Sequence, residues 1–336
     1  MAKKSRVTMR DVAKEAGVSH QTVSRVINNK GEISPETRQH VLDVIEKLNY
    51  RPSHAARSIS TNKTRTIGLM VPTIANPFFS ELVRGAQDVC REEGYNLFLC
   101  ITNWDQDLER EAINSLASHP ADGILICSSR LPVDELTDLF SNGIPHIHDR
   151  GFSHSSSRSI TIDHNEGCRL ALEYLSKLGH KHIALLAGPK THPGTSNDYR
   201  VQAYKRVLKD LKLPLVSEYI VHNPLFPDGG YDGASSILNR FPQVTALLAH
   251  NDLVAIGAMR ACHDLGYRVP EDCAVIGFSD ISLATMVKPS LTTVRVDLYG
   301  FGQTQMRALF DLMQDSEAVI EPIYPVQDLI VRESSG

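Results

Sequence analysis

From Thr66 onward, short apolar runs alternate with amphipathic stretches of helical length, and no other feature of the 336-residue chain restricts its fold as much. Residues 67–71, 97–101, 123–126, 160–162, 183–186, 246–248 and 274–276 read as buried strands. Segments 78–93, 164–178 and 250–265 read as helices; in the first, Phe79, Leu82, Val83, Ala86, Val89 and Cys90 share one face. Strands alternating with helices of this length form βαβ units, because a parallel pair needs a crossover. The expectation is an α/β body of parallel sheets. Its length of about 270 residues exceeds one doubly wound domain, so the body is expected to have two lobes.

Ligands of open parallel sheets bind beyond the carboxyl ends of the strands. That rule directs attention to the residues after each run. Asn76, Phe78 and Phe79 follow the first, and Trp104, the only tryptophan, follows the second. Ser128, Asp149, Arg200, Asn251 and Ser279 stand after later runs. Aromatic platforms beside Asn, Asp, Arg and Ser describe a pocket for a small hydroxylated molecule of sugar size. Singly, Phe79 also suits the core, and Asn251 or Ser279 could simply cap the next helix.

Charge separates the rest of the chain from this body. The whole carries −4, yet residues 1–63 hold twelve Lys and Arg against six acids, a balance of +6. Residues 64–336 hold 23 basic and 33 acidic groups and are −10. A basic head on an acidic body suits a polyanion partner for the head.

The head reads as three short helices. Thr8 can cap the first with Asp11 reaching back, Met9, Val12, Ala13 and Ala16 follow helical spacing, and Gly17 suits the turn that ends it. Ser19 caps a second helix that buries Val23, Val26 and Ile27. Ser34-Pro35-Glu36 opens a third, with Val41, Leu42, Ile45 and Leu48 expected inward. Two helices joined by a short glycine-containing turn, with a supporting third, form a helix-turn-helix. Outward on the second helix stand His20, Gln21 and Arg25. Arg donates twice to guanine and Gln pairs with adenine, while Thr22, Ser24 and the helix starts suit phosphates. Three solvated polar residues would be the bland alternative; their joint placement in this turn favours DNA.

The run from Thr8 to Ser19, followed by Gln21-Thr22-Val23-Ser24-Arg25-Val26-Ile27-Asn28, resembles the head of the lac-repressor (LacI) family of bacterial transcription regulators. The resemblance implies that His20, Gln21 and Arg25 read the operator, with Thr8, Ser19, Thr22, Ser24 and Asn28 beside them in the DNA interface. It also implies a hinge helix within 50–64 that forms on DNA, where Ala56 allows close approach across the dimer axis and Ile59 wedges into the minor groove. The family usually has Leu at the position of Ile59, and a β-branched wedge is stiffer. A plain linker with one stray Ile is the alternative.

The body resembles the effector domain of the same family, related to periplasmic sugar-binding proteins, through 178–189, 251–258, 275–278 and 289–294. The implied organisation is 1–49 for DNA, 50–64 as hinge and 65–336 for effector and dimerisation. The N-lobe would be about 65–162 plus 293–322, and the C-lobe about 163–292 plus 323–336. The residues matching Arg200 and Asn251 contact the effector in the family. The family commonly has Asp where this chain has Ser279, so a neutral polyol loses an acceptor there, or an anionic ligand gains room. The implied partners are pseudo-palindromic operator DNA, a small-molecule effector and a second copy of the chain.

Other classes fit less well. No G-x-G-x-x-G follows a strand, Gly188–Gly194 lacks the ending of a phosphate loop, and neither G-x-S-x-G nor H-E-x-x-H occurs, so no enzyme is expected. His146 and His148 lack a third ligand, so no metal or other cofactor is expected. The six cysteines show no C-x-x-C spacing, and the basic start leads into no apolar signal segment or membrane span. The expected location is the cytoplasm. A periplasmic binding protein would explain the body but not the head.

Overall fold

The computed structural model describes residues 7–28, 31, 33–50, 63–118, 121–140, 143–148, 162–190, 196–316, 318, 320 and 324–336. Ala56, Ile59, Asp149 and nearly all of the strand expected at 160–162 lie outside them. The chain divides into two compact units, Met1–Thr64 and Arg65–Gly336.

In the first unit, α1 (Met9–Glu15), α2 (His20–Ile27) and α3 (Pro35–Lys47) each begin at a side-chain cap. Thr8 and Asp11 exchange hydrogen bonds in a capping box, Ser19 accepts from the Thr22 N–H at 3.0 Å, and Ser34 does the same for Thr37 with Pro35 opening the helix. Gly17, at φ +62°, turns the chain between α1 and α2. Val12, Ala13, Ala16, Val23, Val26, Val41, Val44 and Tyr50 form the core. Leu42 departs from expectation, being 43% exposed. Val41, Val44, Ile45 and Leu48 already complete the inward stripe, and Leu42 lies one residue, about 100°, off it.

The second unit contains two sheets. The first has strand order β2-β1-β3-β4, all parallel: β1 (Thr66–Val71), β2 (Asn96–Ile101), β3 (Gly123–Ile126) and β4 (His146–His148). Between these strands run α4 (Pro77–Glu92), α5 (Gln106–Ser118) and α6 (Val133–Leu139). The second sheet has order β10-β9-β8-β7-β5-β6. Its strands are β5 (Ile183–Ala187), β6 (Ile220–His222), β7 (Ala246–Ala249), β8 (Ala274–Ser279), β9 (Thr292–Val296) and β10 (Gln327–Ile330). Only β10 runs antiparallel, pairing Gln327 with Val296. Helices α7 (His164–Lys177), α8 (Ser196–Asp210), α9 (Pro227–Arg240) and α10 (Asp252–Asp264) accompany it. α11 (Leu298–Gln314) packs instead against α4 and β3 of the first sheet. The chain leaves β9 of the second sheet after Val296 and enters α11 two residues later.

β1, β3, β5, β7 and β8 are buried almost throughout, as expected of strands covered on both faces. One apolar cluster runs through both sheets, from Ile67 and Leu69 to Leu185 and Ile276. In each lobe a helix pair crosses where glycines face carbonyls. A Cβ on Gly85 would overlap the Tyr299 oxygen and one on Gly302 the Leu82 oxygen. Likewise Gly230 faces the Val254 oxygen and Gly257 that of Pro227.

Candidate functional site

On α2, Val23 and Val26 are buried while His20, Gln21 and Arg25 are exposed, so the helix presents those three together. The Arg25 stem runs beside Gly31, where a Cβ would sit 3.5 Å from its Cδ. The other expected DNA residues hold the local frame. Thr8 is tied to Asp11, the Ser19 and Thr22 hydroxyls meet at 2.9 Å, and the Asn28 amide donates to the Ser24 carbonyl at 2.9 Å. The hydrogen bond with Thr8 holds the Asp11 carboxyl below the usual range, so it stays ionised at the start of α1.

In the body, each sheet has a place where the strand order reverses. In the first it lies between β1 and β3, and in the second between β5 and β7. Crevices open at such switch points. The loops after β1 and β3 carry Asn76 and Ser128, and those after β5 and β7 lead to Arg200 and Asn251. The backbone is strained at the same strand ends. Asn103 and Trp104 after β2, Ser128 after β3, and Ser279 and Asp280 at the end of β8 all have positive φ without being glycine. Such conformations persist only where surrounding structure enforces them, and they cluster at functional sites.

The enforcing residue in the first lobe is Glu109 of α5, fully buried. Its carboxylate accepts hydrogen bonds from Ser129 Oγ at 2.7 Å and from the N–H groups of Arg130 and Leu131 at 2.9 and 3.3 Å. Arg130 in turn donates to the Trp104 carbonyl at 3.0 Å and lies 5.2 Å from the centre of its ring. Burial lowers the Arg130 pKa and the Glu109 charge opposes that shift. Glu109 thus fixes two strand-end loops at once. Among the expected residues here, Phe79 is buried in the core at 3% exposure and makes an edge contact with Trp104, 5.8 Å between centroids. Phe78 is half-buried. Asn76 caps α4 by accepting from the Phe78 N–H.

In the second lobe Arg200 is 5% exposed. Its guanidinium lies 3.6 Å over the Phe278 ring, donates to the His250 carbonyl at 2.6 Å and meets His164 Nδ1 at 3.2 Å. Burial brings its pKa down to about 10, so it remains charged at neutral pH. Burial, reinforced by the Arg200 charge, holds the His164 and His250 rings well below the usual histidine range, so both are neutral. Asn251 caps α10 through the Val254 N–H at 2.8 Å, and its amide donates to the Leu225 carbonyl at 3.3 Å. Asp252 accepts from Thr293 Oγ1 at 2.5 Å and from the Ile281 N–H at 2.8 Å, bracing the turn that contains Ser279. Burial pushes its pKa up to about 6.

Sequence reasoning missed Glu109, Arg130, His164, His250, Asp252 and Phe278. His250, Asp252 and Phe278 adjoin the residues it did select. Glu109 lies mid-helix with no local signal. His146, weighed as a metal ligand, is buried with its ring stacked 4.1 Å from that of Phe140.

A helix-turn-helix unit followed by a two-lobed α/β unit with polar strand ends defines a ligand-responsive DNA-binding regulator. Residues 8–53 match the lacI family of bacterial regulatory proteins, and 172–335 match the periplasmic binding protein-like domain. Catabolite control protein A of Priestia megaterium is 35% identical over 91% of this chain and 92% of its own length. The transcriptional repressor PurR of Mannheimia succiniciproducens is 35% identical over 97% and 98%. The lac repressor dimer bound to operator and the anti-inducer ONPF superposes with a TM-score of 0.89 at 28% identity, covering 98% of this chain and 99% of that one. The chain belongs to the lacI family: it is a DNA-binding transcriptional regulator and not an enzyme. No described helix is long and apolar enough to cross a membrane.

Proposed function

We propose that the chain is a cytoplasmic repressor that binds a pseudo-palindromic operator as a homodimer and is controlled by a small polar metabolite, a sugar or sugar derivative, held between its two lobes. Residues 1–49 read DNA, 50–64 couple, and 65–336 bind effector and dimerise. The observation that carries this reading is the pairing of an exposed His20, Gln21 and Arg25 with the strained strand ends of the body. Arg25 and Gln21 take base edges, and Thr8, Ser19, Thr22, Ser24 and Asn28 support phosphate contacts. Ala56 and Ile59 serve the hinge. Asn76, Phe78, Trp104, Ser128 and Asp149 approach the effector from the first lobe, and Arg200, Asn251 and Ser279 from the second, with Phe79 behind Trp104.

Two-fold symmetry matches two half-sites, and the lac repressor dimer on its operator supports the same assembly here. Edge strand β2 leaves Phe98 56% exposed on one face and Ile101 42% exposed on the other, and a second copy covers this apolar edge. Effector binding changes lobe closure and so the pairing of the hinges. By linkage, DNA changes effector affinity by the same factor. Selection of genomic fragments on the purified chain tests the reading: a palindromic motif is expected. Binding that never exceeds that to random DNA would overturn it.

A further inference from the structure

We infer that the body carries a second polyanion-binding surface, a lysine-rich patch at the ends of α7 and α8 that takes the phosphate backbone of duplex DNA without reading its sequence. The negative balance of the body hides it. Residues 177–212 hold eight basic and two acidic groups, a balance of +6, while the rest of 64–336 holds 15 basic and 31 acidic groups and is −16. Lys177, Lys181, Arg206, Lys209 and Lys212 are exposed, and Lys205 is half-buried. Topology gathers them. α7 runs out just before β5 and α8 before β6, and β5 and β6 are parallel neighbours, so both helices end at the same edge of the sheet. α7 and α8 also pack against each other. This end is opposite the strand carboxyl ends that carry the candidate effector residues.

Among the described residues none of the six joins an ion pair, whereas Arg169, earlier on α7, is held by Glu166 and Glu173. The helix dipole accounts for Lys177 and Lys209, which lie in the last turns, and not for the other four. Lys212 follows α8 at φ +55°, a conformation that glycine supplies after α7 and α10, at Gly179 and Gly266. Lys205 and Lys209 stand one turn apart, about 6 Å along α8, with Arg206 beside them. Charges are screened beyond about 8 Å at physiological salt, so such a row acts by its own sign and not by the total of the body. Duplex DNA presents a charge about every 1.7 Å of its axis and releases a counterion to each cation that meets it. The predominance of lysine favours this backbone over a folded acidic protein. Lysine is depleted at protein interfaces, where ordering its long stem costs entropy, whereas a row of phosphates accepts a mobile point charge.

The test is a footprint on the full chain. Lysines are acetylated with and without a random-sequence duplex and quantified by mass spectrometry, with Lys288, 90% exposed, as the reference. At about 50 mM salt, DNA should lower acetylation of Lys177, Lys181, Lys205, Lys209 and Lys212 about threefold or more relative to Lys288, and about 500 mM salt should erase the protection. The triple variant Lys205→Gln, Lys209→Gln, Lys212→Gln should lose protection of Lys177 and Lys181. The triple variant Arg91→Gln, Arg260→Gln, Arg307→Gln, which removes the same charge elsewhere on the body, should keep it. Protection confined to the lysines of residues 1–63 would overturn the inference. Loss of protection in both variants would overturn it too, by making total charge the cause. Polyglutamate is run in parallel as an acidic-protein probe: protection by it and none by DNA would overturn the nucleic-acid assignment in favour of an acidic protein partner.

Discussion

Replacing Glu109 by Gln exchanges one buried oxygen for an NH2 group and should loosen two loops of the candidate effector site. The carboxylate serves Ser129 Oγ and the Arg130 and Leu131 N–H groups. All three donors reach Oε2, so an amide oxygen there keeps these bonds with a neutral acceptor and loses only the Arg130 N–H contact with Oε1 at 3.1 Å. A bond to an ionised acceptor is worth about 1.5–3 kcal/mol against about 0.5–1.5 kcal/mol for a neutral one, so weakening three gives a gross loss of roughly 3–5 kcal/mol. Burying an amide in place of a carboxylate returns about 1–2 kcal/mol. A net loss of about 2–4 kcal/mol lowers the melting temperature by about 5–15 °C for a body of this size. Differential scanning calorimetry measures that directly. Well below the transition, effector affinity should fall as well, because Arg130 no longer has a fixed place from which to hold Trp104, while operator binding without effector persists. A Glu109→Gln protein that melts with the wild type would refute the idea that this carboxylate organises the loops.

Three further outcomes are expected. Arg25→Ala should weaken operator binding by about 1–3 kcal/mol per half-site and leave non-specific binding nearly unchanged; gel-shift titrations on operator and random duplexes check this, and an equal loss on both would remove Arg25 as a base reader. Gly257→Ala would gain about 1 kcal/mol if helix propensity ruled, but the overlap with the Pro227 carbonyl predicts a loss of about 1–3 kcal/mol in denaturant titrations. Stability should also fall in acid. His164 and His250 are kept neutral in the fold, so below pH 6.5 the unfolded chain binds two protons that the native state does not. Asp252 acts oppositely: its raised pKa lets the native state take a proton first, between pH 6 and 4. The balance of one proton predicts a loss of about 1.4 kcal/mol per pH unit in that window. Denaturation midpoints across it would show the slope, and His250→Gln should flatten it.

Six strands were legible because each is a contiguous apolar run: β1, β2, β3, β5, β7 and β8 fall within a few residues of the positions read from the chain. The four strands not found are short or mixed in polarity. β4 is Ile147 between two histidines, β6 has three residues, β9 opens on two threonines and includes Arg295, and β10 is a four-residue edge. Their polar members are satisfied by tertiary contacts that no local pattern announces, as when Thr293 donates to Asp252 from 41 residues away. The same limit applies to the site. Arg200 and Asn251 were visible because they follow strands, whereas Glu109 looks like any acid on an amphipathic helix until its partners, 20–22 residues on, fold back over it. In the head nearly everything is local, so caps and turn could be read directly; only Leu42 needed the packed helix to settle its direction.

The four glycines at the helix crossings bear on how such a protein changes over generations. With α4 pinned to α11 and α9 to α10 backbone against backbone, each lobe has little room to deform and must turn as a unit. The strand-end loops proposed to touch an effector can then exchange residues, because the helix crossings behind them are set by backbone contact instead of by the side chains being exchanged. Ligand preference becomes a replaceable attachment on a fixed frame, and the chemistry of the strand ends can change without redesigning the helix crossings.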